Sequence, residues 1–221
     1  MFTRLSSLFI TLSIVTASIL ATSALNPRDS PPISTLPGGS TVFTDGVAGC
    51  TNGSGGSYTF TWGSGSSSSA LLCGKGWTIG TNRTISYAGS YSPNGYSKFT
   101  MYGWTRNPLV EYMVMESFGG SVNPAAGAIR KGTTTCNGQI YDILQMIRVN
   151  QPSIDGVQTF QQYWSARRDA PKLGQISGKV DMDCHFKAWA AFNMTLGSSH
   201  AYQIAAVDAY FSNGNAAITV S

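Results

Sequence analysis

Two acidic residues occupy positions in strand-like segments where an apolar side chain would be expected. Side chains alternate along a strand. In the segment from Val110 to Ser117 this puts Glu111 on one face with Met113 and Met115, and Tyr112, Val114 and Glu116 on the other. Along Tyr202 to Tyr210 the same parity groups Asp208 with Tyr202, Ile204, Ala206 and Tyr210. A carboxylate among such neighbours is costly unless it is hydrogen-bonded, paired or used. Two carboxyls held close together can break a glycosidic bond, one attacking the anomeric carbon and the other protonating the departing oxygen. Taken singly, each acid reads more readily as a solvated or hydrogen-bonded sheet residue than as a catalytic one.

The elements that must position these acids are short strands. From Thr41 onward, runs rich in aromatic and β-branched residues alternate with Gly, Asn and Ser turns. They include Ser57 to Trp62, Thr84 to Tyr87, Lys98 to Trp104, Val110 to Ser117, Gln139 to Val149, Gln158 to Ala166, Gly174 to Val180, Ala201 to Phe211 and Ala216 to Val220. Asn94-Gly95, Asn137-Gly138 and Asn213-Gly214 read as hairpin turns. One segment departs from the pattern: Phe186, Trp189, Ala190 and Met194 recur at helical spacing after the polar stretch Asp181 to Asp183, which predicts one short helix against the outside of a sheet. The expected fold class is all-β, a jelly-roll sandwich of two twisted antiparallel sheets with a single short helix.

Composition narrows the setting. Only 11% of the 221 residues are charged, and the net charge is +4, with the Lys and Arg scattered, which argues against a nucleic-acid partner. Residues 1–24 read as a secretory signal: Arg4, an apolar run from Leu8 to Leu20 too short to span a bilayer comfortably, then Ala21, Thr22, Ser23 and Ala24. A single-span anchor is the alternative, and it lacks a cationic flank after the run. Residues 25–40 form a Pro- and Gly-rich extended lead-in, Ser64 to Ser69 a low-complexity loop, and residues 41–221 one domain. Four widely spaced cysteines, Cys50, Cys73, Cys136 and Cys184, predict two disulfides in any of three connectivities, and no CxxC suggests zinc. Asn52, Asn82 and Asn193 head glycosylation sequons.

The local sequences then add a resemblance. Tyr102-Gly103-Trp104-Thr105-Arg106-Asn107-Pro108-Leu109-Val110-Glu111-Tyr112 resembles the segment of the family-11 xylanases that ends at the nucleophile. Arg148-Val149-Asn150-Gln151-Pro152-Ser153-Ile154-Asp155-Gly156 is similar to the family's thumb loop. Gln162-Tyr163-Trp164-Ser165, His185-Phe186-Lys187-Ala188-Trp189 and Val207-Asp208-Ala209-Tyr210-Phe211-Ser212 match further segments, so the likeness runs from about Asn52 to the C-terminus. The resemblance implies Glu111 as nucleophile, Asp208 at the acid/base position, and Tyr102, Arg148, Pro152, Gln162, Tyr202 and Tyr210 along a sugar-binding cleft. It implies a Cys136–Cys184 disulfide, which leaves Cys50 with Cys73. It also implies a secreted monomer that hydrolyses β-1,4-xylan or a related cell-wall polysaccharide with retention and without a cofactor or metal.

The departures from the family pattern are specific. The acid/base Glu is replaced by Asp208 and the following Gly by Ala209. Met113 and Lys98 stand where the family has cleft tyrosines, and Ala70 where it has the Asn or Asp that adjusts the acid/base. The aromatic first strand of the family's distal sugar site is replaced by Gly38 to Phe43. Two expectations follow: a weakened xylan hydrolase, or a catalytically inactive relative that binds polysaccharide or a protein at the plant cell wall.

Overall fold

The computed structural model describes residues 41–44, 47–63 and 71–221, together with the backbone of 33–35. The expected signal segment 1–24, most of the lead-in, the low-complexity loop and Ala70 lie outside the described residues.

Among the described residues, fourteen strands and one helix follow in chain order. They are β1 (Ile33–Thr35), β2 (Thr41–Thr44), β3 (Cys50–Asn52), β4 (Ser57–Trp62), β5 (Leu71–Trp77), β6 (Thr84–Asn94), β7 (Ser97–Arg106), β8 (Val110–Gly119), β9 (Ile129–Cys136), β10 (Gln139–Ser153), β11 (Gly156–Arg167), β12 (Gly174–Asp181), α1 (Met182–Ala191), β13 (Ser199–Ala209) and β14 (Asn213–Val220). A nine-stranded sheet runs β1-β2-β5-β13-β7-β8-β11-β10-β9, and a five-stranded sheet runs β12-β6-β14-β4-β3. The pairings are antiparallel except β8 with β11, which is parallel. The jelly-roll sandwich is therefore the fold, with one parallel contact at the strand that carries Glu111. Part of the lead-in belongs to the sheet, since β1 pairs with β2.

Period-two alternation sorts the side chains of the large sheet into two clusters. One, including Phe99, Met101, Tyr112, Val114 and Val207, packs between the sheets with Phe60, Tyr91 and Ile218. The other, including Leu72, Tyr102, Trp104, Met113, Trp164 and Ile204, lines the opposite face. With both faces covered, β7, β8 and β13 are buried almost end to end. These strands carry apolar residues on both faces, as strands buried on both sides do.

The helix starts earlier than its apolar spacing suggests. Asp181 caps it, accepting from the Asp183 and Cys184 amides at 3.0 and 3.3 Å. It ends at Ala191, so Met194 lies beyond it. Trp189 and Met182 join the inter-sheet cluster, and the Trp189 indole donates to the Trp164 carbonyl at 3.3 Å. Cys136–Cys184 ties β9 to this helix, and Cys50–Cys73 ties the edge of the small sheet to β5 of the large one.

Two of the three turn dipeptides behave otherwise than expected. Asn137-Gly138 closes the β9–β10 hairpin, with both residues at positive φ (49° and 74°). Asn94-Gly95 instead carries the chain from the small sheet to the large one. Asn213-Gly214 opens β14, where Gly214 pairs with Trp62 and Pro93. The turn before it is made around Phe211, at φ 47°.

Candidate active site

Glu111 and Asp208 lie on the same face of the large sheet, on β8 and β13, with β7 between them. Both are buried: Glu111 is 4% exposed and Asp208 0%. Their surroundings are different.

Glu111 receives a neutral donor at each oxygen. The Tyr102 hydroxyl donates to Oε1 at 2.6 Å, and the Gln162 amide donates to Oε2. Each donor is oriented by an indole. Trp104 Nε1 donates to the Tyr102 hydroxyl at 2.8 Å, so the phenol's own proton is directed at Glu111. Trp164 Nε1 donates to Gln162 Oε1 at 3.0 Å, which fixes the amide with its NH₂ toward Glu111. The register explains how these groups meet: Glu111 stands opposite Trp104 on β7 and Gln162 on β11. Because both oxygens accept, the arrangement suits a carboxylate held still for attack. Tyr202 completes this wall, its ring 6.1 Å from that of Tyr102. Burial first, and the Glu111 charge second, push its phenol pKa upward.

Asp208 meets a full cation. Lys98 Nζ donates to Asp208 Oδ2, and the Lys98 side chain is only 5% exposed. The two residues are direct partners across β7 and β13. The ammonium lies 5.5 Å from the centre of the Trp164 ring and 5.8 Å from that of Tyr210, within cation–π range of both. Tyr210 in turn stacks on Tyr96 at 5.9 Å. The Lys98 ammonium on β7 thus reaches a ring on β11, two strands away. Met113 is buried on it opposite Tyr102.

The remaining predicted cleft residues sit at the β10–β11 hairpin. Arg148 stands at its base, at a β-bulge, and turns to its own loop: it donates to Gln151 Oε1 at 3.4 Å and Met146 Sδ at 3.8 Å, with Glu111 not among its partners. Pro152 pairs with Val157 near the tip. The tip is tethered to the end of β7 by Arg106, whose Nε and Nη2 lie 2.9 and 2.6 Å from Asp155 Oδ1. The sequons Asn52, Asn82 and Asn193 are all exposed.

Sequence reasoning gave no role to Trp104, Trp164 or the Arg106–Asp155 tether, and treated Lys98 only as a lost tyrosine. A signal for the indoles was present: each lies two residues after the group it orients, on the same strand face. Nothing comparable marks Lys98, because its partner is set by strand register.

Among the described residues there is no group of three or more His, Cys, Asp or Glu side chains able to hold a metal ion. No helix among them is long and apolar enough to cross a membrane.

Comparison with known proteins agrees with this geometry. Endo-1,4-beta-xylanase A of Schizophyllum commune is 53% identical over 184 residues, covering 81% of this chain and 91% of that protein. Endo-1,4-beta-xylanase I of Cochliobolus carbonum is 54% identical over 171 residues, 77% of this chain and 73% of that one. A solved endo-1,4-beta-xylanase of Trichoderma reesei superposes with a TM-score of 0.65 at 32% identity, covering 88% of this chain and 95% of its own. The sequence profile described as glycosyl hydrolases family 11 matches residues 40–219, and the chain belongs to that family.

Proposed function

We propose that the protein is a secreted endo-1,4-β-xylanase that hydrolyses β-1,4-xylan by retaining double displacement, with Glu111 as nucleophile and with turnover weakened at Asp208. The observation that carries this reading is the clamp on Glu111, two neutral donors each held by an indole, in a chain of this family. In the first step Glu111 attacks the anomeric carbon and forms a glycosyl ester; in the second, water hydrolyses it. Tyr102 and Gln162 orient the nucleophile. Tyr202, Tyr210, Arg148 and Pro152 border the sugar path, which lies under the β10–β11 hairpin. Asp at the acid/base position is one methylene shorter than Glu, which withdraws the carboxyl by roughly 1.5 Å. A misplacement of about 1 Å can lower a rate by two orders of magnitude. Residues 41–221 form the catalytic domain, preceded by the lead-in and a cleaved signal, and the enzyme acts as a monomer.

The deciding measurement is reducing-sugar release from xylan by the purified protein beside its Glu111→Gln variant. Slow release that vanishes in the variant supports the reading, and equal release from both removes Glu111 from its role. The Lys98–Asp208 pair favours a second reading, in which the cleft binds xylan-type oligosaccharides without turning them over. That reading requires saturable binding of xylohexaose with no product and no dependence of product on Glu111.

A further inference from the structure

We propose that Lys98 withdraws the proton donor from the cleft, so that the two halves of the double displacement are unequally served: glycosyl transfer to Glu111 proceeds only with leaving groups that depart without a proton, while hydrolysis of the glycosyl ester remains assisted. The inference rests on the reading of Glu111 as nucleophile. A general acid must carry a proton into the first step. Asp208 is fully buried and receives the Lys98 ammonium at Oδ2. Protonating the carboxyl would leave the neighbouring ammonium facing a neutral group in a site nearly closed to water, which is costly. The contact is built in by the backbone, since the two residues are partners in the β7–β13 register and share the cleft face. The rings of Trp164 and Tyr210 flank the ammonium. Lys98 does not take over as donor, because an ammonium is a far weaker acid than a carboxyl.

The consequences differ for the two steps. In the first, a Glu111 oxygen bonds to the anomeric carbon as the bond to the leaving oxygen breaks. The electron pair departs on that oxygen, which takes a proton only from solvent. A nitrophenolate tolerates this and a sugar alkoxide does not. In the second, water attacks the anomeric carbon, the ester bond returns its pair to Glu111, and the water's proton leaves to solvent while the ionised Asp208 carboxylate orients the water as a hydrogen-bond acceptor, without itself being protonated. An ionised Asp208 is the form this step needs. The glycosyl ester therefore does not accumulate.

The test is the dependence of kcat/KM on leaving group for aryl β-xylobiosides from dinitrophenyl to phenyl, measured on the full-length secreted protein. Because it compares substrates on one preparation, a loss of folded protein does not mimic it. The expected fall across the series is roughly 10³-fold, the size of a lost general acid. It should flatten to about tenfold or less in the Lys98→Tyr/Asp208→Glu double variant, whose xylan hydrolysis should rise by about 10²- to 10⁴-fold. The unmodified protein should show neither a burst of dinitrophenol nor acceleration by azide. A Lys98→Ala/Asp208→Ala variant, lacking that acceptor as well, should show both. A shallow dependence or azide acceleration in the unmodified protein overturns the role of Lys98 while leaving Glu111 as nucleophile. If no aryl xylobioside is cleaved by any of these proteins, and a 2-fluoro-xylobioside leaves Glu111 unlabelled, both the inference and the hydrolase reading fall.

Discussion

The two ends of the cleft floor solve the same problem, a buried carboxylate, in opposite ways. Glu111 is held by a phenol and an amide, neutral donors that stabilise its charge without cancelling it. Asp208 is held by an ammonium, which cancels it. The difference teaches that burial alone does not say what a carboxylate can do. Neutral donors leave an anion able to attack, whereas a directly bonded cation leaves a pair with little tendency to gain or lose a proton.

The largest effect expected from breaking this contrast is at Glu111. Glu111→Gln should lower kcat/KM on a dinitrophenyl xylobioside by about 10⁴-fold or more, the scale of a deleted nucleophile. Steady-state kinetics with active-site titration checks this. The same variant should cost about 1–3 kcal/mol of stability, because its NH₂ meets one of the two donors that the indoles hold in place.

Asp208→Asn should cost more stability. It removes the anion that the Lys98 ammonium faces, and breaking a buried ion pair costs about 3–5 kcal/mol. Urea unfolding of both variants measures the contrast directly, and equal stability losses would erase it.

A third buried ionisable group sharpens the comparison because it faces no counter-charge. His185 is 0% exposed; its Nδ1 meets the Ser165 hydroxyl at 2.9 Å, and its Nε2 has no hydrogen-bond partner. Burial lowers its pKa from 6.5 to about 3. The folded value lies below the unfolded one, so the unfolded chain takes up the proton first as pH falls. Stability from this group is full above pH 6.5 and declines from there toward pH 3. Between pH 7 and pH 4 the loss is about 3 kcal/mol. His185→Gln should remove that component, read as a smaller drop in Tm between the two pH values.

The smallest effects lie in the groups that hold Glu111. Tyr102→Phe deletes one neutral donor to a charged acceptor, worth about 1.5–3 kcal/mol, and should lower kcat/KM by about 10- to 100-fold. Trp104→Phe acts one hydrogen bond further away, at about 0.5–1.5 kcal/mol, and should cost correspondingly less. An equal loss in both variants would show that the indole, not the phenol, sets the position of Glu111.

The sequence determined much of this protein by itself. Alternation along Val110 to Ser117 and Tyr202 to Tyr210 placed Glu111 and Asp208 each on a definite strand face, and glycine-rich punctuation marked a sandwich of many strands. Helical spacing found α1, although its start depended on the Asp181 cap and its apolar pattern ran past its end. Strands β3, β5 and β9 escaped notice, being glycine-, threonine- or cysteine-containing segments whose order comes from the strands they pair with, β5 between β2 and β13 and the edge strands β3 and β9 against one neighbour each. Only the tertiary structure decided which residues face one another across strands. Register brought Lys98 to Asp208 and Trp104 and Gln162 to Glu111, and a side-chain bond between unpaired elements joins Arg106 to the tip of the β10–β11 hairpin. Local sequence carries the period of a strand but not its offset against a partner from far along the chain. The offset is settled when a whole sheet buries its two faces at once.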